Sequence, residues 1–172
     1  MPISPFRKRG TEPETASGDV EEQTAAGGPE RVILSRGLYA EWYVMRRLNE
    51  ELERARRYER PLAVMLAEPM VIAGRPASAE ALAAGATAAQ ASARGSDLIG
   101  WIAHDRILII MPETDAVEAS VATRRWRDEM WRRSQHAGGL KWRIAALEDA
   151  STYADPAQCV EAARERVLRE AA

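Results

Sequence analysis

The spacing of apolar residues divides most of the chain into alternating helices and strands. Between Leu38 and Tyr58, apolar side chains recur every three or four residues, which is the spacing of one helical face. They are Leu38, Trp42, Met45, Leu48, Leu52 and Ala55. Arginine and glutamate occupy the other face. The segment therefore predicts an amphipathic helix, which Pro61 ends because proline has no N–H to donate within a helix.

The next segments predict a strand–helix–strand unit that occurs twice around a hairpin. Short apolar runs predict strands at 62–68, 97–103, 106–111 and 140–147. Helices are predicted at 78–93, 115–134 and from 155 onward. Asp115 followed by Glu118 has the spacing of a capping box, and Asp155 before Pro156 is a favourable helix start.

The order of these elements predicts an α+β fold. After the first helix it reads strand, helix, strand, strand, helix, strand, helix, which is the ferredoxin-like βαββαβ arrangement followed by a closing helix. We expect an antiparallel sheet with helices on one face and an extra helix at the N-terminal side. This layout carries many unrelated functions and does not indicate one by itself.

Composition bounds the domain organisation and the class of protein. Residues 1–30 are rich in Pro, Gly, Glu, Thr and Ser and predict a disordered leader, and residues 31–172 predict one domain. The formal net charge of −2 does not indicate a nucleic-acid partner. No apolar run approaches the roughly 20 residues of a membrane span. With one cysteine, Cys159, and no secretory signal, we expect a cytoplasmic protein.

Several single residues are better explained by packing than by chemistry. Cys159 has no nearby base and predicts a small core residue, and the spacing of Trp126 predicts a core position. A lone histidine such as His104 in a hairpin turn is usually exposed, so we expect neither a metal site nor a cofactor. Trp101 is a candidate for stacking a base or joining a protein interface if the hairpin exposes it.

Three segments of the chain resemble the diguanylate cyclase (GGDEF) family. ELERARRYERPLAVMLAEP at Glu51–Pro69 resembles the family's first long helix and first strand, and ARGSDLIGWIAHDRILIIMPETD at Ala93–Asp115 resembles its signature hairpin. The following helix, strand and helix continue the agreement to the end of the chain. The resemblance covers most of the sequence after about Val32, and the hairpin is its specific part.

The signature itself has lost most of its functional residues. Its Gly-Gly-Asp/Glu-Glu-Phe positions fall on Ala103, His104, Asp105, Arg106 and Ile107, and only the central acid is kept. The family's two glycines let the guanine nucleotide approach the backbone, whereas Ala103 and His104 carry side chains there. Arg106 places a positive charge where Mg²⁺ needs an acidic ligand.

The other catalytic positions of the family are also changed. Its second metal-binding acid corresponds to Ala67, with Glu68 beside it and expected to face the other way because strand side chains alternate. The Asn and Asp that hold the base have no counterpart in VIAGRPASAEALAAG, residues 71–85. The resemblance therefore implies a degenerate domain that is not an enzyme.

One binding motif of the family is retained. Many members bind their product, cyclic di-GMP, through Arg-x-x-Asp and a further arginine on the next helix. Arg94 and Asp97 match this motif, with Asp97 six residues before Ala103, and Arg125 falls at the place of the further arginine. Alternatively, Arg94 and Asp97 pair across a helix end, and Arg125 matches by chance in an arginine-dense helix.

Two hypotheses about function follow. The first is a non-catalytic cyclic di-GMP receptor that uses Arg94, Asp97 and Arg125 to change a contact with a partner protein. The second is a nucleotide-independent scaffold that forms a homodimer or docks on another signalling protein. The amphipathic first helix and the arginine- and tryptophan-rich third helix motivate the second hypothesis. The sequence does not identify the partner.

Overall fold

The computed structural model describes residues 38–70, 77–103, 105–134 and 141–170; the predicted leader lies outside these ranges. In chain order the elements are α1 (Glu41–Tyr58), β1 (Leu62–Pro69), α2 (Ala79–Ser92), β2 (Leu98–Ile102), β3 (Arg106–Pro112), α3 (Ala116–Ser134), β4 (Trp142–Leu147), a 3₁₀ turn (Ala150–Thr152) and α4 (Pro156–Arg169). This order confirms the predicted succession of helices and strands.

The four strands form one antiparallel sheet in the order β2-β3-β1-β4. β1 is central and pairs with β3 on one side and β4 on the other, so that Ala67 lies opposite Ile107 and Ile144. β2 pairs with β3 across the hairpin. The pairing is that of the predicted ferredoxin-like core and confirms the α+β fold class.

Helices cover both faces of the sheet, so the prediction of helices on one face is wrong. Met65 and Ala67 of β1 pack with α2 and α3, whereas Val64 and Leu66 pack with α1 and α4. The physical reason lies in the strands, which are apolar at nearly every position. A strand with two apolar faces must be covered on both to keep those side chains from water.

The segment before α1 covers an edge of the sheet. The predicted helix begins at Leu38, but the observed helix begins three residues later. Tyr39 instead forms a parallel bridge with Gly100, donating its N–H to the Ile99 carbonyl at 3.0 Å and accepting from the Trp101 N–H at 3.0 Å. The bridge occupies backbone groups that an edge strand would otherwise present to other chains.

Side-chain caps fix the starts of α3 and α4. The Glu118 N–H donates to Oδ1 of Asp115 at 2.9 Å, and the Asp115 N–H donates to Oε2 of Glu118 at 3.4 Å, which confirms the predicted capping box. Asp155 accepts from the Gln158 N–H at 2.9 Å, as predicted for the start of α4. Within the described ranges, none of the helices has the length and apolar character needed to span a membrane.

Candidate functional site

A positively charged cleft lies between the C-terminal end of α2 and the side of α3. Its volume is about 990 Å³. Four arginines and two carboxylates line it beside backbone and small side chains; the charged residues are Arg94, Arg125, Asp128, Glu129, Arg132 and Arg133. Since arginines outnumber acids, the cleft favours an anionic ligand.

Of the three residues predicted to bind ligand, Arg94 and Arg125 lie at this cleft, and Asp97 lies near both of them. Asp97 lies close enough to both guanidinium groups that each lowers the pKa of its carboxyl group. Burial nevertheless raises the pKa of Asp97 above its ordinary value, and it outweighs these attractions and a bond from the Arg94 N–H. Asp97 is therefore a carboxyl group with incomplete solvation.

A tight turn positions Asp97 against Arg94. The chain leaves α2 in an extended conformation at Ala93. The Arg94 N–H then donates to Oδ2 of Asp97 at 2.8 Å, and the Asp97 N–H donates to the Arg94 carbonyl at 3.1 Å. The bond that closes the turn comes from the backbone of Arg94. Arg94 and Asp97 therefore do pair at the end of α2, as the alternative interpretation has it, and they do so through the Arg94 backbone.

The other arginines of the cleft lie on α3, and each is held by a hydrogen bond or an ion pair. Nη2 of Arg125 donates to the Ser92 carbonyl at 2.9 Å, which fixes its guanidinium against the last turn of α2. Arg132 and Arg133 both pair with Glu129, so part of their charge is neutralised. Sequence reasoning missed Glu129, although its spacing of three and four residues from these arginines is the signal for such pairs.

The signature positions form the turn between β2 and β3. Ala103 has a φ of 51°, a left-handed conformation that favours glycine, and its N–H donates to Oε2 of Glu41 at 3.2 Å. Asp105 is half-buried, Ile107 is buried in the core beside α2 and α3, and His104 lies outside the described residues. Glu41, the first residue of α1, thus accepts a hydrogen bond from the backbone of Ala103, the first signature position.

Arg106 forms an ion pair with Glu68 on the face covered by α1 and α4. Nε of Arg106 lies 2.8 Å from Oε1 of Glu68, and Nε of Arg164 on α4 lies 3.6 Å from the same oxygen. Oε1 of Glu68 has no hydrogen-bond partner among the described residues, so its contact with the two arginines is electrostatic. Two guanidinium groups therefore lie beside one largely buried carboxylate. The sequence could not predict this cluster, because its three residues are far apart in the chain.

The orientation of β1 explains why Glu68 meets the signature. As predicted, Ala67 and Glu68 face opposite sides, and Ala67 is buried beside α2 and α3. Arg106 lies on the same side as Glu68, because its neighbour Ile107 points into the other layer. The β1 side chain that meets the fourth signature position is therefore Glu68 and not Ala67. Among the described residues, no group of three or more His, Cys, Asp or Glu could hold a metal ion.

The remaining candidates are core residues. Trp126 and Cys159 are fully buried, as predicted, and burial raises the pKa of the Cys159 thiol to about 12. Trp101 is only 4% exposed, so the hypothesis that it stacks a base from an exposed hairpin is wrong. It lies across from Ile107 and packs in the α2/α3 layer. Trp131 is about half exposed on α3.

Solved structures with the same architecture identify the fold. The diguanylate cyclase SiaD of Pseudomonas aeruginosa, solved with its activator SiaC, superposes with a TM-score of 0.70 at 20% sequence identity. The match covers 80% of this chain and 57% of SiaD. The fold is that of the GGDEF domain. Because the identity is low, the likeness establishes the GGDEF fold and not the activity.

Two further structures share the GGDEF fold over most of their length. The GGDEF domain of DgcB from Caulobacter crescentus, solved with c-di-GMP, has a TM-score of 0.66 at 10% identity, and the match covers 83% of this chain and 91% of that domain. A DGC protein from Thermotoga maritima has a TM-score of 0.61 at 17% identity, covering 75% and 95%. No protein-family model and no curated protein matches the sequence.

Proposed function

We propose that this chain is a catalytically inactive GGDEF-fold signalling domain that binds cyclic di-GMP in the cleft between α2 and α3 and regulates a partner protein. The observation that carries the proposal is that Arg94 and Arg125 line one positively charged cleft and that Asp97 lies near both arginines. The same three residues match the product-binding motif that the sequence resembles. The likeness to DgcB, whose GGDEF domain was solved with c-di-GMP, is consistent with this ligand.

The chemistry of the three side chains suits a cyclic dinucleotide. Its two phosphates are anionic, and each guanine presents acceptors on one edge and N–H donors on another. Guanidinium groups form forked bonds to phosphate oxygens or to guanine O6 and N7, which suits Arg94 and Arg125. Asp97 can accept from guanine N–H groups, and these bonds would replace part of the solvation that burial removes.

Two of the three proposed ligand-binding side chains, Asp97 and Arg125, are held by hydrogen bonds within the protein. The backbone of Arg94 holds Asp97, and the Ser92 carbonyl holds Arg125. Side chains already fixed in this way lose less conformational entropy on binding, so more of the contact energy contributes to affinity. The cleft volume of about 990 Å³ is at the upper end of the usual range for ligand pockets.

The proposed loss of catalysis follows from charge at the signature. Phosphoryl transfer of this kind needs metal ions to neutralise developing negative charge, and acidic side chains to hold them. Here Arg106 and Arg164 surround Glu68, and a divalent cation would be repelled by both. The side chain of Ala103 also lies where the family's glycine admits the nucleotide.

Calorimetric titration of cyclic di-GMP into the full chain tests the proposed ligand. We expect saturable binding that Arg94→Ala weakens at least tenfold, since the variant removes a guanidinium from the cleft. Arg46→Ala, which removes an exposed arginine of α1, is the matched control and should bind like the unmodified protein. An absence of binding heat, or equal affinity in Arg94→Ala, would overturn the assignment of the site.

Incubation with GTP and Mg²⁺ or Mn²⁺ tests the proposed inactivity separately. We expect no cyclic di-GMP above the background of a protein-free reaction, as detected by chromatography. If product forms over time in proportion to protein concentration, the proposed loss of catalysis is wrong. The binding proposal is tested separately by calorimetry and is not affected by this result.

A second candidate function is the nucleotide-independent scaffold. The apolar stripe of α1 does not favour it, because Leu48, Leu52 and their neighbours are packed against the sheet. Exposed apolar side chains on α3, among them Trp131, do favour an interaction surface. SiaD, part of which has this fold, was solved with a protein activator, which is consistent with a protein partner.

A further inference from the structure

The backbone of β4 has polar groups that face away from the sheet. β4 lies at one edge of the sheet, and β2 lies at the other, where Tyr39 forms its bridge. The Met70 N–H donates to the Lys141 carbonyl at 2.7 Å, which sets the alternation of hydrogen bonds between β1 and β4. Trp142 and Ile144 therefore direct their backbone N–H and C=O groups away from β1. An edge with such groups can accept a further strand.

One hydrogen bond reaches these outward groups within the described ranges. Nη2 of Arg127 on α3 donates to the Ile144 carbonyl at 3.1 Å and to Oε2 of Glu170, just after α4, at 3.2 Å. The two side chains therefore cross the edge of β4 from one helical layer to the other. Both are about half exposed, so their ion pair contributes little stability and is easily displaced. We call Arg127 and Glu170 the β4 clasp.

A pocket lies beside the same stretch of β4. Its volume is about 360 Å³, at the lower end of the usual range for ligand pockets. Trp142, Ile144 and Val167 give it apolar walls, and Arg143 and the β4 clasp give it charged ones. The two arginines outnumber the one acid, so the pocket suits an apolar group that is accompanied by a negative charge.

The guanidinium of Arg143 has no partner in the part of the chain that the structure describes. Arg143 lies across from Glu68 on β1, but Glu68 already lies beside Arg106 and Arg164. The buried Nε of Arg143 has no hydrogen-bond acceptor among the described residues. Because buried donors are normally bonded, Arg143 indicates a place for an acidic group from another molecule.

We propose that the edge of β4 binds an extended segment of a partner protein in which an apolar residue stands next to an acidic one. The segment adds a strand antiparallel to β4, and its backbone replaces the bond from Arg127 to the Ile144 carbonyl. Neighbouring side chains of a strand point to opposite sides. The apolar side chain then lies beside Trp142 and Ile144, and the acidic one reaches Arg143 on the side of α4.

This proposal states how the partner protein of the proposed function is held, and it rests on that partner but not on cyclic di-GMP. Among the described residues, none lines both the pocket beside β4 and the cleft between α2 and α3. Arg143→Gln should therefore bind cyclic di-GMP like the unmodified protein. Failure of either binding test leaves the other unaffected.

Fluorescence anisotropy of a labelled peptide, titrated with the full chain, tests the site. The peptide alternates valine and glutamate and has both ends blocked. We expect saturable binding that Arg143→Gln weakens about fivefold, because a charge-assisted bond is lost. Arg46→Gln removes an exposed arginine of α1 and is the matched control, which should bind like the unmodified protein. An absence of saturable binding, or equal affinity in Arg143→Gln, would overturn the proposal.

Opening the β4 clasp should strengthen peptide binding. Glu170→Gln removes the acid that holds Arg127 and that repels the glutamates of the peptide, so the affinity should rise about threefold. A misfolded variant would not gain affinity, so this result distinguishes a binding site from a loss of structure. Unchanged or weaker binding in Glu170→Gln would contradict the proposed place of the segment at the clasp.

N-methylated peptides test the strand addition without changing the protein. In an antiparallel pair, the valines opposite Ile144 direct their N–H groups to β4, and the glutamates direct theirs away. Methylation of the valine nitrogens should therefore abolish binding, and methylation of the glutamate nitrogens should preserve it. Equal binding of the two methylated peptides would show that no strand is added and would overturn the proposal.

Discussion

The resemblance to the GGDEF family implies an acidic metal ligand at the position of Arg106. Arg106 supplies a positive charge there instead, and this charge is covalently part of the protein, whereas a bound metal ion can dissociate. The guanidinium of Arg106 lies 2.8 Å from Glu68 and carries its positive charge on the side chain itself. A bound Mg²⁺ exchanges with solvent and shares its coordination with a substrate. The ion pair therefore stabilises Glu68 without offering the open coordination positions on which phosphoryl transfer depends.

At this position, Arg106→Glu should convert the ion pair into a cation-dependent site. Two facing carboxylates should lower the free energy of unfolding by about 2 kcal/mol without divalent ions, because like charges repel in this partly buried place. Mn²⁺ or Mg²⁺ should recover much of that loss. Urea denaturation with and without the ion measures both effects. Arg106→Gln is the control, and an equal response of the two variants to the ion would contradict the prediction.

At the scale of elements, the Trp142 side chain of β4 packs directly against α2. A Cβ atom built on Gly85 would lie 2.2 Å from Cζ2 of Trp142, far inside contact distance. Small side chains make this approach possible, since the buried positions of α2 are mostly alanine. The helix and the strand belong to the same core layer.

Gly85→Ala should therefore destabilise the protein although alanine favours helices. Replacing a glycine within a helix ordinarily stabilises it by about 0.5–1 kcal/mol. Here the clash with the Trp142 ring should dominate and lower the free energy of unfolding by about 1–3 kcal/mol. Chemical denaturation gives the value. In Gly95→Ala no atom lies within 4 Å of the added Cβ, so that control should change little. A stabilised Gly85→Ala protein would show that the ring moves freely.

At the scale of the whole molecule, one sheet joins two helical layers. Leu38 illustrates the connection, because it is buried with α2 and α3 whereas α1, which begins three residues later, covers the opposite face. The chain passes from one layer to the other at the edge of β2, where Tyr39 bridges Gly100. Since both layers share the same strands, we expect them to unfold together.

Leu38→Ala should test this connection. Removing a fully buried leucine side chain should lower the free energy of unfolding by about 2–5 kcal/mol. Far-ultraviolet circular dichroism and tryptophan fluorescence should report the same shifted urea midpoint. Leu168→Ala, at a half-exposed position of α4, should change stability by less than about 0.5 kcal/mol. Separate transitions for the two probes would mean that the layers unfold independently.

The sequence by itself determined the elements and several of their ends. The order of helices and strands depends on spacing between near neighbours, and so do the Asp115–Glu118 cap and the burial of Trp126. The proposed roles of Arg94 and Asp97 came from a motif of the family that the sequence resembles. Arg125 could be assigned to the same site only through the resemblance to a family.

The tertiary structure decided what depends on residues far apart in the chain. Only the folded chain places α1 and α4 on the second face of the sheet and buries Trp101. Only the fold brings Arg106 and Arg164 to Glu68, because contact across a sheet depends on strand order and on the side to which each side chain points. Neither strand order nor side-chain direction can be read from spacing along the sequence, and so the contacts of Arg106 were found only in the three-dimensional structure.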